Sequence, residues 1–401
     1  MQYDAGLRKV MVIIADDFTG ALDTGVKLSS TGARVKIVPY MERYTEAEAD
    51  VLVIDAETRH LSSPIVYERI AAICTQYEYI PYFYIKTDSA LRGQIGVTVK
   101  AAMETLGVHQ AAFAPSYPAM HRITRNGRQL IDGKPLKESA FAHDPLNPVT
   151  VDMVKELFDH TGMVVCNAKS SQPLSSFPQD TIVIYDAETD EELCEIAAHL
   201  HSEGKLRLTV GCAGFAEALS GVIPLPPGSR KEVSRPRQLL VFCGSLNQTT
   251  YRQIEYGIAN GFVQMTCSMN TLQDDGWFAK VHALLSQGSN VIIVITDEGM
   301  PEISVIEQSH LIQHYGGQIL LKLLCSEEMN DYAVMVIGGD TLMGFMNEAN
   351  FPEIDIHGEL TPGVVSFTMQ LNGRQYEFLS KSGGFGEETL FLDIMKEGTK
   401  A

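Results

Sequence analysis

Short apolar runs recur along the chain, each ending abruptly at polar residues or glycine, and helix-like segments lie between them. Continuous apolar runs of this length suit strands buried on both faces of a parallel sheet. The pattern predicts strands at 10–14, 33–39, 49–54, 81–85, 111–114, 163–166, 181–185 and 206–210. Helices are predicted at 21–30, 63–76, 97–106, 151–160 and 191–201, with another opening at Gly211-Cys-Ala-Gly214. Pro224, Pro226, Pro227 and Pro236 bracket a Gly-Ser-Arg-Lys stretch that reads as a linker. The domains are therefore placed at 1–229 and 238–401. The second half restarts with a strand at 239–243 and a helix from 249, then strands at 291–295 and 332–337 and a helix from 342. A type I′ hairpin is expected around Asn372-Gly373, followed by a helix after Gly386. The fold class is α/β: two domains, each built on a largely parallel sheet flanked by helices, with a ligand cleft between them.

The polar residues at the strand ends carry the chemistry. The first run stops at Asp16 and Asp17, at the carboxyl edge where such sheets bind ligands. Either aspartate can cap the following helix, but only one side chain can point at its end. The run at 49–54 is followed by Asp55, Glu57 and Arg59, and that at 81–85 by Lys86-Thr-Asp-Ser89 and Leu91-Arg-Gly93. In the second half the ends are glycine-rich: Gly244-Ser245, Gly338-Gly-Asp-Thr341 and Ser380-Lys-Ser-Gly-Gly-Phe-Gly386. Ser245 and Thr341 would stand at helix N-termini that favour phosphate, and the glycines let backbone amides approach an anion.

Composition narrows the partners. The 401 residues carry a net charge of −19, which opposes nucleic acid and anionic membrane surfaces. An anionic ligand must then meet a local basic patch, and 115–137 supplies one. There Arg122, Arg125, Arg128, Lys134 and Lys137 face a single acid, Asp132. The alternative for this segment is a solvated basic loop. Seven scattered cysteines without C-x-x-C spacing argue against a disulfide framework or a zinc site. His310 and His314 have ligand spacing but no patterned acidic partner, which favours a solvated helix face. Residues 1–8 are polar and no apolar run nears the ~20 residues needed to span a bilayer, so the protein is expected to be cytoplasmic.

Carboxylates and cations in the first domain, with phosphate cradles in the second, suit phosphoryl transfer from a nucleotide to a small anionic acceptor. A non-catalytic sensor of the same ligands would share these features. A nicotinamide-dependent oxidoreductase fits two α/β domains, but neither first strand is followed by G-x-G-x-x-G.

Five motifs, in order and spread over nearly the whole chain, resemble the four-carbon acid sugar kinases. They are A-D-D-F-T-G-A at 15–21, K-T-D-S-A-L-R-G at 86–93, A-P-S-Y-P-A with R-x-T-x-N-G at 114–127, G-G-D-T at 338–341 and K-S-G-G-F-G at 381–386. The resemblance implies an N-terminal acid-sugar-binding domain, a C-terminal nucleotide-binding domain, and transfer of the γ-phosphate of ATP to a terminal hydroxyl of a tetronate. D-T-G-V at 23–26 points to the D-threonate branch, with D-erythronate, L-threonate and 3-oxo-tetronate as alternatives. Ala90, Gln94 and Asp340 depart from the usual threonine, asparagine and glutamate. By the same resemblance Asp17 is the general base, and Asp16, Arg59, Lys86, Thr87, Asp88, Ser89 and Arg92 contact the acid. Ser245, Gly338, Gly339, Asp340, Thr341, Gly383, Gly384, Phe385 and Gly386 hold ATP. Asp340 is the candidate Mg²⁺ contact. The partners expected are the sugar acid and ATP alone, with a homodimer as the assembly to test.

Overall fold

Strand β1 (Met11–Ala15) is buried along its whole length, and its neighbours on both sides run parallel to it. The structure, a computed structural model, describes residues 9–40, 49–143, 148–226, 233–244, 247–325, 332–352, 354–381 and 384–395. By contact the chain divides into two compact units, Met1–Arg230 and Lys231–Ala401.

In the first unit β1 leads through α1 (Phe18–Ser29) to β2 (Val35–Pro39) and β3 (Val51–Asp55), then α2 (Ser63–Gln76), β4 (Tyr82–Lys86), α3 (Ile95–Leu106) and β5 (Gln110–Ala114). A three-stranded antiparallel excursion follows: β6 (Arg122–Arg125), β7 (Arg128–Ile131) and β8 (Lys134–Pro135). The chain returns through β9 (Val164–Lys169), β10 (Thr181–Asp186), α4 (Asp190–Ser202), β11 (Leu208–Gly211) and α5 (Ala213–Ser220). The strand order is β2-β3-β1-β4-β11-β5-β10-β9, parallel throughout. From β1 the chain builds first toward β2 and then, with β4, toward the other side. The β1/β4 boundary is thus the topological switch point, where sheets of this kind bind ligands. Apolar residues of β1, β3 and β4 pack on those of α2 and α3 in one core. Trimming one such residue, as in Ile14→Ala, would cost about 2–5 kcal/mol.

The second unit runs β12 (Gln238–Cys243), α6 (Gln248–Ala259), β13 (Val263–Cys267), α7 (Asp275–Ser286), β14 (Val291–Ile295) and α8 (Val305–Leu324). It continues with β15 (Tyr332–Ile337), α9 (Gly339–Glu348), β16 (Ile354–Thr361), β17 (Val364–Leu371), β18 (Arg374–Lys381) and α10 (Leu390–Asp393). Strands β13-β14-β12-β15-β18 are parallel, and β17 and β16 extend them antiparallel. Here the switch point is β12/β15. Asn372 and Gly373, both at positive φ (50° and 79°), close the β17–β18 hairpin as a type I′ turn requires.

Some expected elements differ. Helix α1 starts at Phe18 rather than 21, because the Asp17 side chain accepts from Gly20 N and draws that turn into the helix. The helix expected at 151–160 is only a short 3₁₀ turn, Val154–Phe158. Asp152 and Val154 are taken up in backbone bonds to Gln129 and Gly127, which keeps the start of this segment extended. Strand β13 alternates partly exposed and exposed residues at the end of the strand order, so it lacks the apolar run that marks its neighbours.

Candidate functional site

Because the first sheet is parallel throughout, the carboxyl ends of its strands fall on one edge. Strand register aligns them: Ala15 pairs with Asp55 on one side and Lys86 on the other, and Gly211 pairs with both Lys86 and Ala114. The predicted polar residues at the ends of β1, β3 and β4 are thereby brought together.

Asp17 is the N-cap of α1. Its Oδ1 accepts from Gly20 N at 2.8 Å and its Oδ2 from Arg59 Nη1 at 2.5 Å. Arg59 Nε donates to Asp16 Oδ2 at 2.8 Å, and its second terminal nitrogen lies 3.8 Å from Asp88 Oδ1. Burial would lower the Arg59 pKa, but the charges of Asp16, Asp17 and Asp88 outweigh it and raise it. Burial lifts the Asp16 carboxyl above its usual range; the Arg59 charge opposes this and the Asp17 charge adds to it. Asp16 Oδ1 is buried with no hydrogen-bond partner among the described residues.

Lys86, 5% exposed, ends β4. Its Nζ donates to the Thr87 carbonyl at 3.0 Å. Gly20 leaves room for both groups, since a Cβ there would lie 2.7 Å from Asp17 Oδ1 and 2.8 Å from Lys86 Nζ and would push them aside. Thr87 is buried and its Oγ1 has no hydrogen-bond partner among the described residues. Asp88 receives Arg92 Nε at 2.7 Å and the Arg92 backbone N–H at 3.2 Å. Burial pushes the Asp88 carboxyl up, but the Arg92 and Arg59 charges hold it well below the usual carboxylate range. The loop then passes through Leu91 at φ 59° and Gly93 at φ 87°. A non-glycine residue in that region stores on the order of 1–3 kcal/mol, which concentrates at binding sites.

The basic segment does not face the site as one patch. Arg125 pairs with Glu188, Arg128 and Lys137 with Asp152, and Lys134 is exposed. Arg122 differs: its Nη1 donates to Ser89 Oγ, and its guanidinium lies 5.4 Å from the Phe141 ring centroid. A buried chain from Ser116 through Thr124 to Gln129, whose Nε2 reaches Ser89 O, anchors the excursion beside β4.

Two residues here were not among the predicted contacts. Asp55 is fully buried, its Oδ2 has no hydrogen-bond partner among the described residues, and burial followed by the Glu57 and Asp17 charges raises its pKa well above the usual range. Its signal was its place directly after an apolar run, the same as that of Asp16. Arg122 was visible only as one of five cations.

In the second unit Cys243 pairs with Ile337, and Ile337 with Lys381, so Gly244, Gly338 and the end of β18 share an edge. Gly338, at φ 108°, precedes α9, whose N-terminus has no side-chain cap. A Cβ on Gly244 would strike Thr341 Oγ1 at 2.1 Å. These are the features of a phosphate cradle: backbone amides at a helix N-terminus, kept open by glycine. Lys381, 1% exposed, donates to Thr250 Oγ1 at 3.4 Å, and burial lowers its pKa to about 8. Gln253 Nε2 reaches the carbonyls of Phe385, Gly386 and Glu387. The Phe385 ring packs against Gly363, while Gly384 lies beside Asn247. Ser245 and Gly383 lie outside the described residues. Asp340 is in the first turn of α9. Magnesium is commonly held by one or two carboxylates plus substrate phosphates, so a single carboxylate there fits it.

His314, expected on a solvated face, meets Glu348 of α9 at 2.5 Å. Among the described residues no group of three or more His, Cys, Asp or Glu could hold a metal, and no helix is long and apolar enough to cross a membrane.

Comparison with known proteins matches residues 11–219 to a sugar-binding N-terminal domain and residues 240–391 to a nucleotide-binding C-terminal domain. The chain belongs to the four-carbon acid sugar kinase family. Among its relatives in this family, a D-threonate kinase of Salmonella typhimurium is 27% identical, over 96% of this chain and 97% of the relative. A D-erythronate kinase of Heliobacterium modesticaldum is 29% identical, over 61% of this chain and 59% of the relative. A solved Salmonella typhimurium LT2 structure, described as a tRNA synthase, superposes with a TM-score of 0.78 at 21% identity. It covers 96% of this chain and 98% of its own, and the likeness speaks to the fold alone.

Proposed function

We propose that the protein transfers the γ-phosphate of ATP, with Mg²⁺, to a terminal hydroxyl of a four-carbon sugar acid, D-threonate first and D-erythronate, L-threonate or 3-oxo-tetronate as alternatives. The observation that carries this reading is the pair of groups at Gly20: the Asp17 carboxylate and the Lys86 ammonium flank one glycine at the switch point of the sugar-binding domain. A carboxylate beside a cation can take a proton from a hydroxyl while the cation holds an anionic acceptor.

Asp17 is assigned as the base. It is the more exposed of the two aspartates, with a side chain 24% exposed against 13% for Asp16, and Arg59 holds both in place. The unpartnered Asp16 Oδ1 and Thr87 Oγ1 are assigned to substrate hydroxyls. In the nucleotide-binding domain the amides of Gly339 and Asp340, with residues 384–386, are assigned to the phosphates. When bound, magnesium would neutralise charge on the phosphates, and Asp340 is the residue that would hold it. The seven cysteines are free thiols, which supports a reducing, cytoplasmic setting.

The test is ATP consumption across the four acids, with the product identified by mass spectrometry. A phosphorylated tetronate supports the reading. Tight ATP and tetronate binding without turnover would replace it with a sensor.

A further inference from the structure

We infer that Arg122, together with Lys86, receives the carboxylate of the sugar acid. This rests on the sugar-acid reading above and names the side chain that recognises the acid group.

Four cations stand at this edge, and two of them are turned onto the protein's own carboxylates. Arg59 engages Asp16 and Asp17 and approaches Asp88. Arg92 closes on Asp88 through Nε and a terminal nitrogen. To use either fork, an incoming acid would have to displace a short internal pair. Arg122 and Lys86 are differently placed. Among the described residues Arg122 makes one hydrogen bond, to a neutral hydroxyl, and Lys86 makes one, to a neutral carbonyl; neither forms an ion pair. A buried ammonium and a partly buried guanidinium with carboxylates nearby but no direct ion pair have donors to spare, and a bound carboxylate would take them up.

The two cations belong to one locus, since Arg122 donates to Ser89, which closely follows Lys86 at the end of β4. Both of their charges act on the buried Cys212 thiol, and the Arg122 charge also acts on Asp88. Ser89 accepts from Arg122, so its own proton remains available to a ligand oxygen. Arg92 and Arg122 both lie against the Phe141 ring, at 5.2 and 5.4 Å from its centroid. Arg92 is neutralised there by Asp88, which leaves the Arg122 charge to a ligand. Of the five cations in the basic excursion, Arg122 is the one held at the end of β4, which gives the excursion a role in recognition.

Calorimetry on the full chain tests this with D-threonate and with ATP. Arg122→Ala should weaken D-threonate binding by about 10- to 150-fold, the range for a lost charge-assisted hydrogen bond. It should leave ATP affinity and the melting temperature near wild type. Arg122→Lys should recover part of the loss, since it keeps charge without the fork. Unchanged D-threonate affinity in folded Arg122→Ala overturns the assignment, as does a loss in Arg122→Lys equal to that in the alanine variant. Should Arg122→Ala not fold, Arg122→Lys binding D-threonate as tightly as wild type overturns it. Wild-type protein that binds none of the four acids overturns the kinase reading and this assignment with it; wild-type binding with unchanged Arg122→Ala overturns the assignment alone.

Discussion

Asp88 and Arg92, four residues apart, form a bidentate pair, with Nε donating at 2.7 Å to Oδ2 and a terminal nitrogen at 3.2 Å to Oδ1. The same aspartate accepts the Arg92 backbone N–H and lies 3.8 Å from Arg59. Arg92 therefore organises the loop that presents Ser89 and Gly93, and its fork is engaged before any ligand arrives.

Arg92→Ala should lower stability by up to about 3 kcal/mol, because Asp88 would stay buried without its bidentate partner, with Arg59 at 3.8 Å and the charge of Arg122 to offset it only in part. The Asp88 pKa is depressed, so the pair's contribution is present above the unfolded carboxylate value of 3.8 and is lost as pH falls through the lower folded value. Thermal melts at pH 7 and pH 3 check this: the gap between wild type and variant should be widest at pH 7 and smaller at pH 3, where the loss has begun. An equal gap at both would show that Asp88 does not depend on Arg92.

Asp17→Asn should reduce kcat by about 10² to 10⁴ and leave ATP affinity intact, the range for losing a positioned base. Asparagine is as good an N-cap as aspartate, so α1 should keep its start while the carboxylate charge and its pair with Arg59 are lost. Circular dichroism with steady-state kinetics measures both. If Asp17→Asn turns over normally and Asp16→Asn does not, the unpartnered oxygen of Asp16 marks the base.

Asp55→Asn should stabilise the protein at pH 8 more than at pH 5. A buried carboxyl with a raised folded pKa binds more protons folded than unfolded, so it destabilises the fold as pH climbs above the unfolded value. Below that value both states are protonated and the term vanishes. Asparagine keeps an acceptor for the Glu57 N–H that Asp55 Oδ1 now takes at 3.3 Å. Melting curves across this range should show the two proteins diverging upward with pH.

Gly338→Val should weaken ATP binding without changing tetronate affinity. Valine is strained at φ 108°, and its branches would crowd the uncapped start of α9. A folded variant with normal ATP affinity would remove this helix start from the nucleotide site.

Lys381 titrates near pH 8 because of its burial, so ATP affinity should fall between about pH 7 and 9 as its charge is lost. In Lys381→Met that pH dependence should flatten at a lower affinity. Calorimetric titrations at three pH values suffice.

Much of the fold was legible in the chain itself. The expected helix at 63–76 coincides with α2, and the strands at 291–295 and 332–337 coincide with β14 and β15. These elements announce themselves because a buried parallel strand must be apolar throughout, and because Pro64 favours the first turn of a helix. The polar strand ends were legible for the same reason: a polar residue that closes a buried run has to sit at the sheet's edge. The 3₁₀ turn at Val154–Phe158 was not, since its backbone partners Gly127 and Gln129 lie more than twenty residues away.

The sequence by itself determined that carboxylates and cations gather at one edge of the first sheet and glycines at one edge of the second. Strand periodicity and turn chemistry are local properties, and they set those positions. Which cation is committed and which can receive a ligand was decided only by tertiary structure. Arg59 reaches Asp16 across 43 residues because β3 and β1 pair in register, and Arg122 reaches Ser89 because a buried Ser116, Thr124 and Gln129 network holds the excursion there. Ion pairing depends on distance in space, and no spacing along the chain distinguishes an arginine that meets an aspartate from one that meets a serine.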